Sequence, residues 1–299
     1  MSRVKSFVEK AVCITGCSSG FGRVTALHLA QLGWSVFATV RKVKDQEALI
    51  AEAIVLKCDR RIVPVICDIT QDDDVLALRD VIREKTPRLD ALINNAGTAY
   101  PAPLELLPAA DFLEQLNLNV VRQLSVTQAL LPMLKLARGK IVNVSSTNGK
   151  IVEPVIGAYC ASKFALEAVS DTLRIELAPF GVGVVVIEPD VSHTAIYETA
   201  TTRGHALMAR LGQHSYNPLI EAAEAHAAKQ LVTGFPPKLF AETVAKILTT
   251  PHPRTRYVVP RSSVLKIVCR KLISDRLYDC IVRKTLKWNV TPQTTKEKI

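Results

Sequence analysis

Thr15-Gly16-Cys17-Ser18-Ser19-Gly20-Phe21-Gly22 follows the short apolar run that begins at Lys10 and leads into a helical pattern near residues 21–32. Glycines spaced G-x-x-x-G-x-G permit a tight turn, close approach of the backbone to a pyrophosphate, and close packing of the helix on the strand. The helix N-terminus adds unpaired N–H groups and a favourable partial charge for an anion. The bland alternative is an ordinary turn between a strand and a helix. Placed directly after a first strand, the turn points instead to a dinucleotide, lined by Gly16, Ser18, Ser19, Gly20, Phe21 and Gly22.

Outward from this turn, apolar runs alternate with longer helical patterns. The strand candidates are 10–15, 35–39, 62–67, 91–94, 140–144, 182–188 and 257–259, and most are continuously apolar, as strands covered on both faces are. Helical stretches fall near 21–32, 43–57, 71–86, 108–137, 155–179 and 236–249. This alternation predicts an α/β fold: one doubly wound, mostly parallel sheet of about seven strands with helices on both faces. No linker or internal repeat divides the chain, so residues 1–299 are expected to form a single domain. The stretch of about 190–235 breaks the rhythm. It is long and polar and follows a strand's carboxyl end, where a substrate lid belongs.

Composition narrows the class. The chain has 299 residues, 48% hydrophobic and 22% charged, which suffices for a sizeable core. Thirteen Gly and sixteen Pro exclude collagen-like and low-complexity chains. No apolar run reaches the roughly 18 residues of a membrane span. The N-terminus MSRVKSFVEK lacks the apolar core of a secretory signal, so a cytoplasmic protein is expected. Seven scattered cysteines show neither CxxC pairing nor zinc-ligand spacing, and neither disulfide nor metal is expected. Net charge is +10, and the segment from Arg254 to Lys287, with ten basic and two acidic residues, supplies most of it. No zinc finger, RNP motif or aromatic-interleaved groove accompanies that charge, which argues against nucleic acid as a partner.

The ordered set TGCSSGFG at 15–22, Asp68, NNAG at 94–97, Asn119, Ser146 and YCASK at 159–163 resembles the short-chain dehydrogenase/reductase family, single-domain branch. The resemblance spans nearly the whole chain and implies a Rossmann-type sheet and a nicotinamide cofactor. It assigns Asp68 to the adenine, the neighbouring Ile69 to the cofactor site, and Asn95, Ala96 and Gly97 to the cofactor's path beyond the fourth strand. An acidic residue commonly ends the second strand where NAD(H) is preferred; here Thr39 and then Arg41 stand there. Arg41, with Lys42 beside it, can meet a 2′-phosphate, so NADP(H) is expected in preference to NAD(H).

Tyr159 and Lys163 lie four apart on a helical pattern and share a face. A neighbouring ammonium stabilises phenolate, so Lys163 is expected to lower the Tyr159 pKa and to reach the nicotinamide ribose. The resemblance makes Tyr159 the acid/base and Ser146, thirteen residues earlier, the group that orients the substrate oxygen. Ser145 competes with Ser146, and the spacing favours Ser146. By the same resemblance Asn119 holds a water that relays protons to the lysine; Asn117 is the alternative. Thr194 matches the contact to the nicotinamide carboxamide. Two positions depart from the pattern: Asp190 follows Pro189 where Gly is common, and Arg122 stands three residues after Asn119 where Gly is frequent.

The stretches FATVR and YCASKFALEAVSDTLRIEL look most like hydroxysteroid, retinol and carbonyl-reducing members, which implies a small lipophilic alcohol or ketone as substrate. His193, His205 and His214 read as solvated loop residues. An alternative is an NADP(H)-binding regulator or scaffold with impaired catalysis, which Asp190 alone favours. An epimerase or dehydratase is disfavoured by length. The family's helix pairing implies a homodimer or homotetramer. Beyond about 261, two short helices to about 288 are expected, N-capped by Ser262 and Ser274. Their stripes are Val264, Leu265, Val268 and Leu272, then Leu277, Tyr278, Ile281 and Val282, with basic residues around them. The expectation is that the stripes pack on the body; the competing reading lays this segment on an anionic membrane.

Overall fold

In the computed structural model, which describes residues 10–212 and 214–288, seven parallel strands form one sheet. The N-terminal stretch 1–9, read above as free of a signal segment, lies outside the described residues. The strands are β1 (Ala11–Ile14), β2 (Ser35–Val40), β3 (Ile62–Ile66), β4 (Ala91–Asn94), β5 (Lys140–Val144), β6 (Gly183–Pro189) and β7 (Arg256–Val259), in the spatial order β3-β2-β1-β4-β5-β6-β7. All seven fall where the apolar runs predict them.

Burial on both faces explains why the strands read as continuous apolar runs. Along β1, Val12 and Ile14 enter one core, with α1 (Gly20–Gln31), α2 (Val43–Val55) and α9 (Pro237–Thr249). Ala11 and Cys13 enter the other, with α3 (Asp72–Lys85), α5 (Arg122–Ala137) and the end of α6 (Gly157–Leu177). All strands run parallel, but the order in which they are laid down reverses between β1 and β4, and in such sheets ligands bind outside the carboxyl ends at this switch point.

Three expectations need correction. The helical stretch 108–137 is not continuous: α4 (Ala109–Leu116) meets α5 through a widened π-type turn, Asn117–Val121. Arg122, just after that turn, binds Asp72 at the start of α3 at 2.5 Å, which explains a cation at that position. The polar stretch 190–235 is mostly helical, as α7 (Ala195–Leu211) and α8 (Asn217–Val232). The C-terminal segment forms α10 (Val264–Leu272) and α11 (Asp275–Thr285). Ser274 caps α11 by accepting from the Leu277 N–H at 3.4 Å, but Ser263, not Ser262, precedes α10. The stripes pack on the body only in part. The whole first stripe, Val264, Leu265, Val268 and Leu272, stays exposed, as do Leu277 and Ile281 of the second; Val282 packs inward, and the buried residues Ile267 and Leu286 lie outside the predicted stripes.

A charged layer ties α6 to the edge of the sheet. Arg256 on β7 reaches Glu167 at 3.0 Å, Asp171 at 2.7 Å and Glu188 at 3.5 Å, and Lys150 reaches Glu167 at 2.7 Å. Burial, reinforced by the charge of Glu167, pushes Glu188 up to about 7 against the pull of Lys150 and Arg256. A carboxyl with its pKa raised on folding holds a proton that the unfolded chain has already lost. Its stabilisation is present below about 4.5 and disappears as the pH rises through about 7. Asp171 and Asp190 are shifted the other way, so their effects lie at lower pH. The melting temperature is therefore expected to fall between pH 5 and pH 7, and Glu188→Gln to flatten that fall in a thermal scan; an unchanged slope would place the proton elsewhere.

Candidate active site

The glycine turn is held by hydrogen bonds rather than by packing alone. Thr15 Oγ1 accepts from the N–H groups of Asn95 and Ala96, each at 2.9 Å. The Asn95 side chain donates to the carbonyls of Thr15 at 2.8 Å and Gly16 at 3.1 Å. Thr39 Oγ1 accepts from the Gly16 N–H at 3.0 Å, so this hydroxyl serves the turn. A Cβ on Gly22 would lie 2.3 Å from the Gly16 carbonyl oxygen, which makes glycine obligatory there. Gly22 thus acts through helix-to-strand packing and does not line the cleft. The Phe21 ring also packs away, stacked on Phe240 at 4.1 Å between centroids.

A cleft of about 750 Å³ runs from this turn across the carboxyl ends of the strands. It brings together Gly16, Ser18, Ser19, Gly20, Arg41, Asp68, Ile69, Asn95, Ala96, Gly97, Ser146, Tyr159, Lys163 and Thr194, as well as the Phe21 end of α1. Ser19 makes no side-chain cap on α1, whose first turn carries no acidic residue. Those N–H groups remain available to an anion. Thr70 occupies one Asp68 carboxylate oxygen, donating to it from its N–H at 3.0 Å and its hydroxyl at 2.8 Å. Open helix N–H groups at one end, Asp68 and Arg41 at the side and a Tyr–Lys–Ser group at the other fit an extended nicotinamide dinucleotide.

Ser146, two residues beyond β5, starts a short turn, where its Oγ accepts from the Asn148 N–H at 3.0 Å. The Ser145 side chain is turned from that position and lies under Gly149. Burial pushes Tyr159 up to about 12, and a hydrogen bond with Ser146 pulls the other way. The lowering expected of Lys163 is not found: the pull on Tyr159 comes from Ser146, and burial exceeds it. Lys163 is itself drawn down to about 8 by burial, partly offset by Glu167 one turn along. Its Nζ donates to the Val144 carbonyl at 2.8 Å and lies 5.6 Å from the Tyr159 ring centre.

Asn119 is buried in the π-type turn and does not line the cleft. Its Oδ1 accepts from the Thr98 N–H at 2.9 Å, and its Nδ2 donates to the Thr98 carbonyl and to Ser162 Oγ, both at 3.0 Å. The side chain therefore joins the loop after β4 to α6 one residue from Lys163. Reasoning from sequence missed Glu153 and Lys266, which also line the cleft, because neither stands in a recognisable motif.

The short chain dehydrogenase profile matches residues 10–204. The human protein named short-chain dehydrogenase/reductase family 9C member 7 is 34% identical over 261 residues, covering 86% of this chain and 77% of its own. Rat retinol dehydrogenase 7 is 33% identical over 270 residues, covering 85% and 81%. A Burkholderia phymatum short-chain dehydrogenase/reductase solved with NAD superposes with a TM-score of 0.77 at 22% identity, over 88% of this chain and 93% of that one. The profile match spans well over half of a chain whose sheet order and cleft already suit a dinucleotide: this protein belongs to the short-chain dehydrogenase/reductase family of oxidoreductases.

Proposed function

We propose that the protein interconverts a lipophilic secondary alcohol and its ketone, with NADP(H) as cofactor. The convergence of Tyr159, Ser146 and Lys163 on the cleft that begins at the α1 N-terminus carries this reading. A bound nicotinamide dinucleotide supplies or accepts the hydride. In reduction Ser146 donates a hydrogen bond to the substrate oxygen and Tyr159 gives it a proton; in oxidation Tyr159 takes that proton back. Lys163, close to half charged near pH 8, supplies the positive charge that favours tyrosinate once the nicotinamide is in place. Asn119 holds the Thr98 loop and α6 in register behind this group. Val155, Met208, Ile220, Leu231, Val282 and Leu286 give the far end of the cleft an apolar wall, which suits a lipophilic substrate.

Preference for NADP(H) rests on Arg41, which borders the cleft and makes no ion pair among the described residues. Arg41→Ala is expected to weaken NADPH binding by about 1.5–3 kcal/mol, as loss of a charged hydrogen bond does, and to spare NADH. Equal binding of NADPH by variant and wild type, measured by titration, would reverse the assignment. Tyr159→Phe should abolish turnover of hydrophobic ketones while NADPH still binds. Retained turnover would move the proton transfer to another group, and a wild type that binds NADPH yet turns over no alcohol or ketone would favour the regulator reading.

No helix among the described residues is long and apolar enough to cross a membrane. The exposed residues of α10 and α11, Leu265 and Leu272 foremost, nevertheless lie among Arg261, Lys271, Arg276, Arg283 and Lys284. That combination suits an anionic membrane surface as a docking partner, at about 1 kcal/mol per basic residue near the surface. Co-sedimentation with anionic vesicles at low salt, lost at high salt, is the expected result. Absence of binding at low salt would exclude it.

A further inference from the structure

Asp190 is the departure from the family pattern that sequence leaves without a purpose. It follows β6 beside the Tyr159–Ser146 end of the cleft, and its carboxylate is held by groups from two directions. From the body, Thr147 Oγ1 donates to its Oδ1 at 3.3 Å and the Val191 N–H donates at 3.0 Å. From the C-terminal segment, Ser263 hydrogen-bonds to the carboxyl and Lys266 Nζ lies 3.5 Å from Oδ1. Burial alone would raise this carboxyl; the Ser263 hydrogen bond and the Lys266 charge hold it below the usual carboxylate range. Lys266 also faces Glu153, at 3.6 Å, so its ammonium sits between two carboxylates at the cleft.

What α10 and α11 do from this position follows from their other contacts. Tyr278 Oη donates to the Val152 carbonyl at 2.6 Å, and Arg270 stacks over the Tyr278 ring. Leu286 is buried against Val155 and Leu219, and Trp288 stacks on Tyr216 of the lid. Tyr278, Ile281, Val282 and Leu286 thereby form a wall of the cleft opposite the turn that starts α1. We propose that the Asp190–Lys266 pair latches the C-terminal segment over the substrate end of the cleft, making Val282 and Leu286 determinants of substrate size. The size-determining part rests on the oxidoreductase reading above; the latch itself does not.

The test uses the full-length chain. Lys266→Met removes the ammonium while keeping most of the stem. Hydrogen–deuterium exchange across residues 264–285 is expected to quicken by about fivefold, the effect of losing a partly exposed ion pair. Lys266→Arg, which keeps the charge, should exchange like the wild type. Exchange in Lys266→Met indistinguishable from wild type overturns the latch, whether or not any substrate has been found. Kinetics then address the wall. In Lys266→Met the KM for bulky apolar ketones should rise several-fold while NADPH affinity is kept. Val282→Phe, which narrows the cleft without touching the latch, should lose turnover of the bulkiest ketones first and retain the smallest. An unaltered size preference in both variants overturns the role of the wall. A wild type inert toward every ketone defeats the oxidoreductase reading and leaves the exchange result standing.

Discussion

Everything at the cleft depends on a polar seam between β1 and β4, where the strand order of the parallel sheet reverses. Thr15 just beyond β1 and Asn95 just beyond β4 satisfy each other's backbone groups across the switch point. The seam continues inside the protein: Asn94 Nδ2 donates to Thr127 Oγ1 and Asn143 Oδ1, both at 2.9 Å, and Asn143 Nδ2 donates to Ser170 Oγ at 2.8 Å. These are buried polar groups, each costly if left unpaired. They fix α5 and α6 against the carboxyl ends of β4 and β5 in a single register. Because α6 carries Tyr159 and Lys163, the seam also sets where those side chains reach the cleft. An apolar core would accept small slides of a helix along the sheet; a connected chain of amides and hydroxyls does not.

The same burial that fixes these groups sets their protonation. Tyr159 is pushed up and Lys163 down, so burial alone brings both toward neutrality. Glu167 works against this at Lys163, and Glu167 is itself held by Lys150 and Arg256. A charged layer at the edge of the sheet thus bears on the charge state of a side chain inside the cleft, through one turn of α6.

The sheet was readable from sequence because each strand is covered on both faces and leaves a plain apolar run. The glycine turn was readable because its backbone permits few substitutes. Much of what could not be read has one cause: partners far apart in the chain. The Asn117–Val121 segment looks helical by periodicity, and only the burial of Asn119 against Thr98 and Ser162 explains the break. Arg122 and Asp190 looked anomalous until Asp72 and Lys266 supplied their counter-charges. Gly22 belongs to the motif, yet the motif does not distinguish residues that line a cleft from those that pack the helix behind it. The stretch 190–235 breaks the sequence rhythm because α7 and α8 bury little, chiefly Leu207 and Leu219, and so show no strong apolar stripe.

That last feature separates the two ends of the cleft physically. The cofactor end is built from strand ends and from a turn whose hydrogen bonds are buried, and opening it would disrupt the sheet. The substrate end is built from α7, α8, α10 and α11, where burial is sparse: Ile267 is the one buried residue of α10 and α11 has none. Elements with few buried apolar contacts open at low free-energy cost. Their positions are set instead by a few polar and aromatic ties, among them Lys266 to Asp190 and Trp288 to Tyr216. These ties can be altered by substitution without disturbing the core. An oxidoreductase arranged this way keeps its dinucleotide geometry constant while the wall that meets the substrate is free to differ.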